Sequence, residues 1–158
     1  MNVQQKSKEK GFTIIEVVLV LAIAGLIFLM VFIALPALQR GQRDTQRKQD
    51  LSRAQTKVTD YQSNNRGELP TNWNDFKTKY LLVGGDTFTD PSGDEYAFQS
   101  PVSGVSVLSG GFTVENQGKI YINDRTTCGT DGSVVAAGSR KVSLRIYLEG
   151  GGIACSSN

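Results

Sequence analysis

From Val17 to Leu35 the chain runs for 19 residues, VVLVLAIAGLIFLMVFIAL, without a charge or a strongly polar side chain. At ~1.5 Å rise per residue a helix of that length is roughly 28 Å long, close to the hydrocarbon thickness of a bilayer. Nothing after Pro36 is apolar enough to span again, so the sequence predicts one membrane-spanning helix. A removable secretory signal has a shorter apolar stretch followed by small residues at the cut, which Leu35, Pro36, Ala37, Leu38 and Gln39 do not supply. A soluble buried helix needs a domain that surrounds it, and the Gly-rich sequence downstream is too short for that.

Charge is segregated around this stretch. Lys6, Lys8 and Lys10 against Glu9 make the leader basic, which favours its staying in the cytoplasm while the rest is exported. Beyond the span, Arg40, Arg43, Arg47, Lys48, Arg53 and Lys57 outnumber Asp44, Asp50 and Asp60, so charge alone does not orient the helix. Over the whole chain 17 basic residues face 15 acids, a balance that gives no ground for nucleic-acid binding by bulk charge. With no histidine the commonest metal ligand and the usual general base are missing. The expectation is a protein that is not an enzyme and has no cofactor and no metal centre.

The junction of leader and span is more specific. Lys10, Gly11, Phe12, Thr13, Ile14, Ile15 and Glu16, running into the apolar stretch, resemble the cleavage and methylation site of type IV prepilins, the class III signal peptide. The resemblance covers Lys8 to Tyr61 well and the remainder in general layout. It implies that a prepilin peptidase cuts between Gly11 and Phe12, N-methylates Phe12 and discards residues 1–11. It also implies a ladle-shaped α+β fold, in which a long N-terminal helix, transmembrane in its first half, packs on a small antiparallel sheet. The expected segments are 12–38 for the membrane and assembly helix, 39–65 for its amphipathic continuation and 66–158 for the head.

Glu16 is an acid beside an apolar helix, and a charge at the bilayer centre costs about 2.5 to 3.5 kcal/mol. Either it is hydrated near the headgroups, or it has a partner. Cleavage would create an α-ammonium on Phe12, one helical turn away, and methylation keeps that charge. A helix shifted along its axis would offer Glu16 to a neighbour's Phe12, and such a pair is strongly favoured in a low dielectric. It would set register between subunits, as buried polar groups do in coiled coils. Loss of the leader leaves 14 basic and 14 acidic side chains. Gly25 and Pro36 weaken the helix, although both residue types are common in membrane spans. The resemblance implies a glycine and a proline flanking a segment that loses helical order on assembly. Gly25 stands at the family's glycine position, whereas Pro36 lies further from the cut than the family's proline.

Past Pro36, Leu51, Ala54, Val58 and Tyr61 form one apolar stripe, predicting a helix that lies on a sheet. Its mixed charges read as a solvated face, with DNA, anionic lipid or acidic faces of adjacent subunits as other partners. Asn64, Asn65, Arg66 and Gly67 end the helix, and Pro70 prevents its resumption. A short helix is expected at Asn74 to Tyr80, capped by Asn72 or Asn74. Asp86, Asp90, Asp94 and Glu95 around the Asp90-Pro91-Ser92-Gly93 turn read as a solvated turn, with calcium ligation the alternative. Strands are expected at Tyr96–Gln99, Phe112–Glu115, Lys119–Ile122, Val134–Ala137 and Lys141–Leu148. In the last, Val142, Leu144, Ile146 and Leu148 alternate with Ser143, Arg145 and Tyr147, predicting one buried and one wet face. Gly150, Gly151 and Gly152 read as a turn, not a phosphate loop. Cys128 and Cys155 resemble the C-terminal disulfide loop of many pilins, with free thiols or a metal pair as the alternatives. A bridge there would contribute roughly 3.5 kcal/mol by chain entropy if the head reaches an oxidising space.

The resemblance thus implies a structural subunit of a surface filament, formed from many copies with helices bundled inside. Its partners would be other copies, the peptidase, a cytoplasmic assembly ATPase, a membrane platform protein and lipid before assembly. The fibre would serve adhesion, twitching motility or DNA uptake, with DNA or a host surface as targets. A pseudopilin of a type II secretion or competence system, and a single-span surface binding protein that never polymerises, are the other readings. The expected location is the cytoplasmic membrane, then the cell-surface pilus.

Overall fold

The computed structural model describes residues 11–158, so Lys6, Lys8, Glu9 and Lys10 lie outside the described residues. The chain forms two units, the first ending at Leu38 and the second running Gln39–Asn158. One helix, α1 (Ile14–Asn64), runs through both. In the first unit it has no cover among the described residues: from Gly11 to Leu38 every residue is exposed except Ala24, which is half-buried.

In the second unit α1 buries Asp44, Arg47, Leu51, Ala54, Gln55, Val58 and Gln62, at spacings of three and four apart from the adjacent Ala54 and Gln55, which puts them on one face. The apolar stripe expected from the sequence is there, with Tyr61 packed at its edge. It begins about two turns earlier than its hydrophobic residues announce, because two charged residues, Asp44 and Arg47, extend it. The helix ends at Asn64, with Arg66 and Gly67 in the left-handed region at φ 57° and 84°. A short helix, α2 (Trp73–Phe76), follows; the Asn72 side chain caps it by accepting from the Asn74 and Asp75 amides, and a π-turn carries it to Leu81.

The strands are β1 (Ala97–Phe98), β2 (Val102–Ser103), β3 (Lys119–Asp124), β4 (Thr126–Cys128), β5 (Val134–Ala136), β6 (Val142–Tyr147) and β7 (Ile153–Ser157). The main sheet has the order β1-β3-β6-β7, with β2 also on the edge of β3, while β4 and β5 form a separate ladder. Leu51, Ala54 and Val58 of α1 meet Ile120, Ile122, Val142, Leu144 and Ile146 of the sheet, and Trp73, Phe76, Leu81, Phe88 and Tyr96 close the core. Cys128 of β4 is joined to Cys155 of β7, with Cα atoms 5.8 Å apart.

The architecture is α+β as expected, but the sheet is mixed, not antiparallel. β1 pairs with residues 119–120 of β3 and β2 with 123–124, both parallel to it. Together they are one edge strand broken at Pro101, whose missing N–H cannot join a ladder. Parallel pairing needs a long return. Residues 104–118 supply it, and that return lies over the outer face of β6. Gly104 and Ser106 bond Asn123, Ser106 also bonds Arg145, and the Ser109 carbonyl accepts from the Tyr147 hydroxyl. Hence the expected wet face of β6 is absent: Ser143, Arg145 and Tyr147 are as buried as Val142, Leu144 and Ile146. The strand expected at Phe112–Glu115 is also absent. Thr113 and Asn116 cap each other in a capping box, which winds Val114–Asn116 into a 3-10 turn.

A fully buried guanidinium joins α1 to the sheet. Arg47 is 0% exposed. Its Nε and Nη2 donate to Asp90 at 2.7 and 2.9 Å, Nη1 donates to Asp44 at 3.0 Å and to Glu149 at 3.4 Å, and Nη2 also reaches Ser92. Its plane lies over the Phe112 ring, 4.8 Å from the centroid. Asp44 in turn accepts from the Glu149 and Gly150 amides, which gives the glycine turn between β6 and β7 its place. Arg43 holds Glu149 in a two-bond fork at 2.7 and 2.6 Å. Neither reading of the acidic turn holds for Asp90, since it is a buried counterion rather than a solvated or calcium-binding group. The charged face of α1 is likewise not simply solvated: Arg43, Arg47 and Arg53 all bond acids or carbonyls of the head.

Burial pushes the Asp90 carboxyl up, and the hydrogen bonds from Arg47 and Ser92 more than offset this, holding it below its ordinary value. The Arg43 hydrogen bonds hold Glu149 low as well. Carboxyls held low stabilise the fold above their ordinary range and lose that contribution as pH falls through their folded values. Unfolding followed by the single Trp73 is therefore expected to need less denaturant below about pH 4, and Asp90→Asn is expected to flatten part of that dependence. Arg47→Met leaves Asp90 buried and unpaired, an expected loss of about 3 to 5 kcal/mol, most of it recovered in Arg47→Met/Asp90→Leu.

Candidate processing and assembly site

Gly11, Phe12 and Thr13 precede the helix, and each is exposed. The first amides of a helix have no partner within it, and lipid cannot supply one. Thr13 and Glu16 meet part of this need between themselves. Glu16 Oε2 accepts from the Thr13 amide and from Thr13 Oγ1, both at 2.8 Å, and Thr13 Oγ1 accepts from the Glu16 amide at 3.4 Å. This is a reciprocal capping box on Thr-Ile-Ile-Glu. Sequence reasoning gave Glu16 two roles, hydrated acid or partner of an ammonium, and missed this third one. The signal was present: Thr-x-x-Glu directly before an apolar run.

The box uses only one oxygen of the carboxylate. Glu16 Oε1 accepts no hydrogen bond from the described residues. Phe12 is 91% exposed, and it shares with Glu16, Val17, Val20 and Leu21 a shallow, mostly apolar groove of about 500 Å³. The Gly11–Phe12 bond lies outside the box, so cutting it removes no atom of the cap. Gly11 has open space where a side chain would stand.

Of the other residues singled out in the sequence, Gly25 and Pro36 both lie inside α1, which is helical through each. Gly25 has no neighbour within 4 Å of the place of a Cβ. Cys128 and Cys155 are brought together in the second unit, whereas Gly11, Phe12, Glu16, Gly25 and Pro36 belong to the first. By length and composition α1 can cross a membrane, and none of its most apolar stretch is buried.

Residues 6–32 match the family model of the prokaryotic N-terminal methylation motif. No curated protein and no solved structure matches the chain.

Thr13→Val is expected to lose the box and weaken the helix start by about 1 kcal/mol. In lipid nanodiscs this is read as faster hydrogen exchange at the Thr13 and Glu16 amides, with Thr13→Ser retaining most of the protection.

Proposed function

We propose that this chain is the precursor of a type IV pilin, a structural subunit that is cut at Gly11–Phe12 and stored in the cytoplasmic membrane. It then polymerises through its apolar helix into a surface filament. One observation carries the reading: an apolar helix without any cover among the described residues begins directly after a junction that bears the N-terminal methylation motif. So large an uncovered apolar surface requires lipid or other copies of the same helix. Before the cut, the basic leader holds the N-terminus in the cytoplasm and lipid supplies the cover. After it, a bundle of identical helices can supply the same cover.

The capping box supports a role for Glu16 in this step. Oε2 is committed to Thr13, while Oε1 remains for the Phe12 ammonium of a neighbouring helix. A charge-assisted bond between an ammonium and a carboxylate is strong where water is scarce, and it fixes the axial offset of two helices. Apolar packing alone tolerates sliding. On this reading the protein performs no catalysis. The peptidase, assembly ATPase and platform protein act on it, and the fibre serves adhesion, twitching motility or DNA uptake.

Intact-mass measurement of the protein from cells with an active peptidase is expected to show a chain that starts at methylated Phe12. A chain that keeps Met1–Gly11 would show instead a permanent single-span protein. Electron microscopy of sheared surface material is expected to reveal long fibres; their absence, with the chain processed, would point to a pseudopilin. Glu16→Ala is expected to leave membrane insertion intact and to reduce fibre yield at least tenfold.

A further inference from the structure

The outer face of β6 holds a second buried guanidinium, and its surroundings differ from those of Arg47 in one respect. Arg145 is 1% exposed. Its Nη2 donates to Asn123 Oδ1 at 2.7 Å and to Ser106 Oγ at 2.9 Å, both neutral acceptors. Its Nε finds no partner, and among the described residues no carboxylate forms an ion pair with it. Arg47, equally buried, has three carboxylates. Burial pushes the Arg145 pKa below the ordinary arginine value, the direction expected of a charge that lacks counterions. Arginine does not discharge in a protein, so the missing anion is not replaced by loss of a proton.

Arg145 also lines a cleft of about 210 Å³, whose walls include Val105, Leu108, Val134 and Ile153. Packing fixes the walls of the cleft. Gly132 stands at φ +74° against the backbone of Ile153, where a Cβ would collide, and the Cys128–Cys155 bridge ties the neighbouring strands β4 and β7. At the rim Asp131 is exposed, and its carboxylate makes no ion pair with the guanidinium.

We propose that this cleft binds a small organic carboxylate with a short apolar tail. The carboxylate would supply the anion that Arg145 lacks, and the tail would lie on Val105, Leu108, Val134 and Ile153. A flat carboxylate suits the planar donor edge of a guanidinium, and the apolar walls reward a tail that inorganic anions do not have. The Asp131 carboxylate opposes the ligand from the rim, a modest repulsion across solvent. The inference does not depend on processing or polymerisation.

The test uses the full chain in lipid nanodiscs, with methyl signals of Val134 and Ile153 followed by NMR during titration with hexanoate. Hexanol and hexylamine serve as probes of the same length without the negative charge. Hexanoate is expected to give saturable shifts at both residues, and the other two probes none. Asp131→Asn, a surface change in a backbone conformation that asparagine tolerates, is expected to tighten hexanoate binding about two- to five-fold. Arg145→Met is expected to abolish the shifts where its remaining spectrum is native. Absence of saturable shifts, equal shifts with hexanol, or unchanged or weaker affinity in Asp131→Asn would each overturn the proposal, whether or not Arg145→Met folds.

Discussion

A guanidinium wholly removed from water dictates where carboxylates must be, and in the second unit Arg47 sets that demand. Its partners come from three places in the chain: Asp44 one turn earlier on α1, Asp90 in the turn before β1, and Glu149 just after β6. Apolar contact between Leu51, Ala54 and Val58 and the sheet is strong but has no direction, and a helix that slides by a turn loses little of it. The fork of Arg47 on Asp90 does not survive such a slide. The apolar stripe thus provides the attraction, and the ion cluster provides the register. The Asp90-Pro91-Ser92-Gly93 turn and the glycine turn after β6 are shaped by the same demand. One presents a carboxylate, and the other presents the two amides that hold Asp44.

What the sequence made legible follows from the range of each signal. The apolar run, the stripe on α1, the Asn72 cap and the helix stop after Asn64 are local patterns, written within a few residues. The mixed sheet was hidden because parallel pairing joins segments more than twenty residues apart, through a return with no regular pattern of its own. The same return explains the misread face of β6. Alternation along Val142–Leu148 shows correctly that Ser143, Arg145 and Tyr147 point away from α1, but it cannot show that a loop covers them. Arg47 escaped for a related reason. On a helix of mixed charges a buried arginine looks like its solvated neighbours until its acids, 43 and 102 residues further on, are placed beside it.

At the N-terminal junction the miss was of a different kind, since the capping box is as local as any signal in the chain. As a lone charge beside an apolar helix, Glu16 points to a neutralising cation, and its bond to Thr13 is the less conspicuous feature. The geometry answers an earlier question, how a helix about to enter lipid satisfies its first amides. Thr13 and Glu16 do so for their own two amides, within one chain.

That order has a consequence for assembly. If Glu16 were needed both to start its own helix and to bind a neighbour through the same oxygen, pairing would have to break the cap, and the cost would oppose polymerisation. The cap takes up one oxygen of the carboxylate and leaves the other without a hydrogen bond from the described residues, and the Gly11–Phe12 bond lies outside the box, so the proposed pairing would leave the cap intact. The proposed cleavage would add one unmatched group, the ammonium of Phe12, to an end whose Thr13 and Glu16 amides are already bonded. A positive charge newly made at an apolar surface seeks the nearest carboxylate oxygen with a vacant lone pair. In the proposed row of identical helices, such an oxygen would stand at the start of every neighbour.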